Sequence, residues 1–222
     1  MQFADSKAPQ GGLSLVQGAA TPDLLPLTFS QLLEQQAERY GSKDAILIGW
    51  TKARLSFQDL NERTKQLARG LLAMGVRKGD RIAILSGDDE RFIELFFAVG
   101  RIGAILVILN KTYTPTETER GLNHAEPYML FIADILNKKP VSPLLRRLTT
   151  QGYQPRHTVL LRSEEAPDES LAQWEDVLHS AGSISEAELA KHEETVDPDS
   201  IVNFQFTSGT TGSPKAAMLS HL

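Results

Sequence analysis

Short apolar runs alternate with stretches of helical periodicity along most of this chain, and no other feature restricts its fold as much. Arg81 to Leu85, Ala104 to Leu109, Tyr128 to Ile132, Thr158 to Leu161 and Ile201 to Phe206 are apolar runs of strand length. Successive side chains of a strand point to opposite faces of its sheet, so a strand apolar on successive residues must be covered on both sides. Strands alternating with helices predict an α/β fold: a mostly parallel sheet with helices on both faces, joined by right-handed crossovers.

The helical stretches carry their own punctuation. Thr28-Phe29-Ser30-Gln31 has capping-box spacing, with Leu27 and Leu32 flanking it as a staple, and predicts a helix running to Tyr40 and ending at Gly41. Asp44 to Ile48 reads as a short strand. Ser56 and Asp59 repeat the capping spacing before a helix with Leu60, Leu67, Ala68, Leu71 and Leu72 on one face, closed by Gly75. Gly87-Asp88-Asp89 is a turn, and Arg91 to Ile102 is apolar almost all round, the mark of a helix set deep between other elements. Thr114-Pro115-Thr116-Glu117 opens the next helix, with Pro at the first helical position where no N–H is needed. Val141 to Thr149 is helix-like, and the acidic stretch Ser163 to Asp199, with a helix near Leu171 to His179, reads as a surface excursion. Residues 1–27 read as a flexible lead-in and residues 28–222 as one unit without an internal boundary.

Composition excludes some classes of function. The formal net charge of -5 opposes a dedicated nucleic-acid binder, and the absence of Cys removes disulfides and thiolate metal sites. No apolar run approaches the roughly 18 residues of a membrane span. The first residues lack the basic and apolar regions of a secretory signal and the Arg of a mitochondrial transit peptide, so cytoplasm is the default, with peroxisome and mitochondrion left open.

After the last apolar run comes Thr207-Ser208-Gly209-Thr210-Thr211-Gly212-Ser213-Pro214-Lys215. Consecutive backbone N–H groups in such a loop can turn inward as an anion-binding nest, and Gly lets the backbone approach a phosphate closely. Hydroxyls add hydrogen bonds, and Lys215 supplies a mobile positive charge. The loop is not G-x-x-x-x-G-K-[ST], so phosphate cradling follows from these residues but a kinase or GTPase does not.

The run FTSGTTGSPKAAMLSH, from Phe206 to His221, closely resembles the signature loop of the adenylate-forming (AMP-binding) superfamily, roughly [YF]TSGTTGxPKG followed by SH. Ala216 stands where the family has Gly. Upstream, LSFQDL (Leu55 to Leu60), GVRKGDRIAIL (Gly75 to Leu85) and GRIGAILVILNKTYTPTETER (Gly100 to Arg120) resemble further family segments, with Ile108 in place of the usual Pro. The resemblance covers about Thr28 to His221 and leans towards the acyl-CoA synthetases. It implies part of the large N-terminal domain of such an enzyme, and a two-step reaction. A carboxylic acid attacks the α-phosphorus of Mg-ATP, giving an acyl-adenylate and pyrophosphate; a thiol, that of coenzyme A, then takes the acyl group. Thr207, Ser208, Gly209, Thr210, Thr211, Gly212 and Lys215 would bind the ATP phosphates, with Lys215 the candidate catalytic residue. The family's nucleoside-binding segments, Mg2+-binding acid and C-terminal catalytic Lys follow this loop, so residues 1–222 alone are expected to be inactive. Two other readings stay open: a short non-catalytic binding or regulatory protein, and a truncated gene product with an uncovered sheet edge.

Other residues receive plainer readings. His221 is expected to be structural. His124, His157, His179 and His192 lack metal-ligand spacing. Phe92, Phe96 and Phe97 fit a core helix face better than an acyl tunnel, and Asp88-Asp89-Glu90 fits a turn before a helix N-terminus. The pairs Lys138-Lys139 and Arg146-Arg147 read as solvated helix ends, and Trp50 and Trp174 belong to no motif.

Overall fold

The computed structural model describes residues 25–153, 155–162, 171–207 and 215–222. Its helices are α1 (Phe29–Tyr40), α2 (Phe57–Ala73), α3 (Glu90–Arg101), α4 (Pro115–Ala125), α5 (Ser142–Thr150), α6 (Trp174–Ser180) and α7 (Glu186–Glu193). The strands are β1 (Asp44–Ile48), β2 (Ala53–Ser56), β3 (Arg81–Leu85), β4 (Ile105–Ile108), β5 (Met129–Ile132), β6 (Ile135–Leu136), β7 (Lys139–Pro140), β8 (His157–Leu160), β9 (Ala172–Gln173), β10 (Ile201–Thr207) and β11 (Lys215–Ser220). The main sheet has the order β11-β10-β4-β3-β5-β8-β9. All its pairings are parallel except β10 with β11. The predicted α/β architecture is therefore present.

Both faces of the sheet are covered, as continuous apolarity requires. On one face Ile82, Ile84, Leu106, Phe131 and Val159 pack against α2, α3, α6 and α7 through Leu67, Leu95, Val177 and Leu189. On the other, Ala83, Val107, Leu130 and Leu160 meet α4 and α5 through Leu122 and Leu148. A third cluster of Leu33, Ile46, Leu55 and Leu60 fastens α1 and the β1–β2 hairpin to α2.

The predicted helix starts form as local hydrogen bonds. Thr28, Ser56 and Thr114 each complete a capping box, with Gln31, Asp59 and Glu117. Gly75 takes φ 88°, and an added Cβ would lie 2.8 Å from the Tyr128 hydroxyl, so the turn after α2 requires its freedom. α3 is as deep as its sequence suggests, yet not purely apolar. Arg101 is fully buried and donates to Asn61 and to Thr64 Oγ1 (3.1 Å) on α2, while pairing with Glu34 on α1 (3.3 Å) and Glu193 on α7. A buried guanidinium is tolerable only with its donors so occupied.

Two expectations are corrected. Ser163 to Asp199 is no surface excursion: Ala172–Gln173 joins the sheet as β9, and Trp174, Val177, Ala181, Leu189 and Val196 are buried. Glu175, Glu186 and Glu188 lie on the outer faces of α6 and α7, whereas Glu193 turns inward to Arg101; residues 163–170 lie outside the described residues. Lys138 and Lys139 are not at a helix end. They belong to the β6–β7 hairpin, whose turn holds Asn137 and Lys138 at φ 51° and 64°.

Two close contacts can be tested by stability. A Cβ on Gly70 would lie 2.1 Å from the Val177 carbonyl oxygen, where α6 crosses α2. Gly70→Ala is expected to lower stability by about 1–3 kcal/mol or more, read by denaturant unfolding, because backbone rather than a flexible side chain must yield. Glu94 on α3 is 3% exposed and meets Arg63 at 3.3 Å. Burial pushes its carboxyl above the usual carboxylate range, and Arg63 offsets only part of that. A raised carboxyl favours the folded state when protonated, and that favour is lost as pH rises through the folded-state value. Glu94→Gln should therefore raise the melting temperature at pH 7, and the gain should vanish as pH falls to the ordinary carboxylate value of about 4.3.

Candidate functional site

Parallel strands connected to opposite faces of a sheet leave a crevice at their carboxyl ends. That switch occurs here between β3 and β4: β3 continues into α3 on one face and β4 into α4 on the other. A cavity of about 210 Å³ opens at this point, lined among others by Ser86, Asp88, Phe92, Asn110, Lys111 and Gln205. Lys111 Nζ meets Asp88 Oδ2 at 2.8 Å across it. Asn110 Oδ1 accepts from the Thr112 N–H (2.9 Å) and hydroxyl (2.8 Å), which turns the chain away from the sheet.

β10 runs parallel beside β4, with Gln205 opposite Ile108, so Thr207 emerges at this same edge. There the chain reverses, and Lys215 returns directly opposite Thr207 on the antiparallel strand β11. The Thr207 hydroxyl donates to the Lys215 carbonyl at 3.3 Å, and both residues are exposed. Two of the predicted phosphate-binding residues thus stand together at the mouth of one hairpin, beside the crevice. Ser208, Gly209, Thr210, Thr211 and Gly212 lie outside the described residues. The returning strand spans Lys215–Ser220 and forms the sheet edge, where Met218 and Leu219 are exposed.

The far end of that strand is tied down. His221 is buried, and its Nδ1 accepts the Phe29 N–H at the start of α1 (3.1 Å) while the two rings meet edge-on at 5.0 Å. This contact requires a neutral ring with its proton on Nε2. Burial lowers the His221 pKa, against the opposing pull of Asp197. Nε2 is buried without a partner among the described residues.

The remaining candidates divide. Phe96 and Phe97 pack against Phe29, with ring centroids 5.2 and 6.3 Å away, whereas Phe92 reaches the crevice. Asp89 caps α3 by accepting the Phe92 N–H at 3.0 Å. Glu90 is buried and accepts from Thr51 (2.9 Å) and Arg162. Trp174 is a core residue, and Trp50 is exposed. Residue-by-residue reasoning missed Ser86, Asn110, Lys111 and Gln205; the usable signal was their position just after, or in, apolar strands at their carboxyl ends. Among the described residues no group of three or more His, Asp or Glu is arranged to hold a metal ion, and no helix is long and apolar enough to cross a membrane.

The family model described as AMP-binding enzyme matches residues 33–222. The chain is 42% identical over 209 residues to the acyl-CoA ligase sidI of Beauveria bassiana, covering 94% of this chain and 36% of that protein. It is 38% identical over 224 residues to the acyl-CoA ligase sidI of Aspergillus fumigatus, covering 97% of this chain and 37% of that protein. The chain therefore spans little more than a third of these relatives. Among solved structures, the anthranilate CoA ligase AuaEII in complex with anthranoyl-AMP shares the fold, with a TM-score of 0.72 at 24% identity, over 89% of this chain and 35% of that one.

The His221 tether predicts a pH effect of definite sign. A histidine whose folded pKa is depressed contributes its full stability above the ordinary value of about 6.5 and loses it as pH falls below that. Melting temperatures measured from pH 8 to 5 should fall on the acid side. His221→Leu, which leaves the Phe29 N–H without its acceptor, should cost about 1–2 kcal/mol at pH 8 and flatten that acid-side loss.

Proposed function

The chain belongs to the AMP-binding enzyme family, and from that premise we propose that it carries the phosphate-binding part of an ATP-dependent acid–thiol ligase of the acyl-CoA ligase kind. One observation carries the reading: Thr207 and Lys215 face each other at the mouth of a hairpin standing at the carboxyl edge of the parallel strands. In this reading residues 28–222 are an incomplete N-terminal AMP-binding domain.

The chemistry asked of these residues is electrostatic. When a carboxylate attacks the α-phosphorus of ATP, charge accumulates on the departing pyrophosphate, and preorganised donors aimed at that charge lower the barrier. The loop amides and the hydroxyls of Thr207, Ser208, Thr210 and Thr211 would hold the β- and γ-phosphates. Gly209 and Gly212 would allow the backbone to come close. Lys215 would follow the leaving group as a point charge. Because His221 holds the opposite end of β11 against α1, the return path of the loop has a fixed base. Mg2+ would neutralise phosphate charge in such a reaction, but the described residues give it no ligand set. Coenzyme A is the proposed acceptor, in keeping with the relatives' names.

The family's nucleoside and acyl contacts would come from outside residues 1–222, in the length by which the relatives exceed this chain. Purified residues 1–222 should therefore show no carboxylate-dependent ATP–pyrophosphate exchange, whereas a longer protein containing them should. In that longer protein Lys215→Ala should reduce exchange by about 100-fold or more, with its fold intact by circular dichroism. Exchange by residues 1–222 alone would overturn the incompleteness, and unchanged exchange in Lys215→Ala would overturn the role of Lys215.

A further inference from the structure

Trp50 serves neither the crevice nor the core, and its position is unusual for its type. Tryptophan carries a large apolar surface and is highly buried on average. Trp174 is 2% exposed, whereas Trp50 is 74% exposed. It stands in the turn from Gly49 to Lys52 that joins β1 to β2, closed by the pairing of Ile48 with Ala53. This hairpin is a separate two-stranded sheet, and its inner face, with Ile46, Ile48 and Leu55, packs on α1 and α2. Side chains alternate along a strand, so Leu47 turns to the other face. There it is 66% exposed, directly opposite Arg54.

The turn that presents Trp50 is tied down. The Thr51 hydroxyl donates to the buried Glu90 carboxylate at the start of α3 (2.9 Å) and accepts the Ala53 N–H (3.3 Å), while Lys52 takes φ 56°. These bonds hold the turn against α3 and leave the neighbouring indole facing outward, its N–H without a partner among the described residues. The charge around it is of one sign. Lys43 to Arg54 holds three cations and a single acid, Asp44, in a chain of formal net charge -5. Arg54 occupies that acid through hydrogen bonds of 2.7 and 3.0 Å. Lys43 and Lys52, both exposed, therefore leave the hairpin positive. A lone exposed apolar side chain is ordinary; two within four positions, on a fixed turn flanked by unpaired lysines, call for a partner. An indole, apolar in body and polar at its N–H, suits the headgroup level of a bilayer, and unpaired lysines suit its anionic lipids.

We propose that the β1–β2 hairpin docks on the surface of an anionic phospholipid bilayer, with Trp50 and Leu47 entering the headgroup layer and Lys43 and Lys52 meeting lipid phosphates. Burial of the two apolar side chains supplies part of the affinity, and attraction to anionic headgroups supplies the rest. The proposal stands apart from the ligase reaction, because it requires neither ATP nor turnover.

The test is titration of the purified protein with vesicles of phosphatidylcholine containing about one quarter phosphatidylserine, read by tryptophan emission and by co-sedimentation. Trp174 lies in the core, so a blue shift on binding reports Trp50. The shift should be saturable, weaken as salt is added, and be about fivefold or more weaker on phosphatidylcholine alone. Trp50→Ser and Leu47→Ser should each weaken co-sedimentation about tenfold. Lys52→Gln should weaken it about fivefold. All three should leave the melting temperature unchanged, since the residues are exposed. Absence of both shift and co-sedimentation on the anionic vesicles would overturn the proposal, as would equal co-sedimentation of Trp50→Ser. A blue shift that grows with protein concentration in the absence of vesicles, with a dimer in sedimentation velocity, would also overturn it, by giving the hairpin to a second copy of the chain.

Discussion

Coverage of both faces of the parallel strands is the condition on which the rest of this structure depends. β3, β4, β5 and β8 are joined by parallel ladders, and their side chains pack alternately into two separate apolar clusters. Parallel neighbours cannot be joined by tight turns, so each crossover must travel back along the sheet, and its helix supplies the cover. The reversal of direction between the crossovers through α3 and α4 sends those helices to opposite faces. The same reversal opens the crevice at Ser86 and Asn110. Cover and crevice are therefore two results of one connectivity.

The outer helical layer is fixed by contacts of a different kind. α2 and α6 approach until only a hydrogen fits between Gly70 and the Val177 carbonyl. Nearby, the buried Arg101 ties α1, α2 and α7 to α3. Apolar packing tolerates sliding, whereas a guanidinium with four partners on three elements does not. This network sets the position of α1, and α1 in turn presents the Phe29 N–H to His221. Of the two strands that flank the proposed phosphate loop, β10 is thus held by its ladder with β4, and β11 is held at its far end by a histidine resting on α1.

Much of this was legible before any coordinates. The capping boxes at Thr28, Ser56 and Thr114 depend on atoms three residues apart, and such bonds need nothing beyond the local chain. The core strands were visible because burial on both faces removes polar residues from successive positions. The Ser163 to Asp199 stretch was misread for the complementary reason. Its helices bury one narrow stripe and expose an acidic face, and composition averages the two. β9 is two residues long, too short to leave a pattern, and becomes a strand only by lying beside β8.

The residues themselves specify the alternation of strand and helix, the helix starts, and a hydroxyl-, glycine- and lysine-bearing loop after the last parallel strand, because each rests on neighbours within a few positions. Tertiary structure decides which strands lie side by side, that Lys111 meets Asp88 over the crevice, that Thr207 faces Lys215, and that His221 reaches Phe29 across 192 residues of chain. These contacts exist only after crossover order and handedness have placed the elements. No periodicity in a single sequence encodes a distance between residues so far apart along the chain.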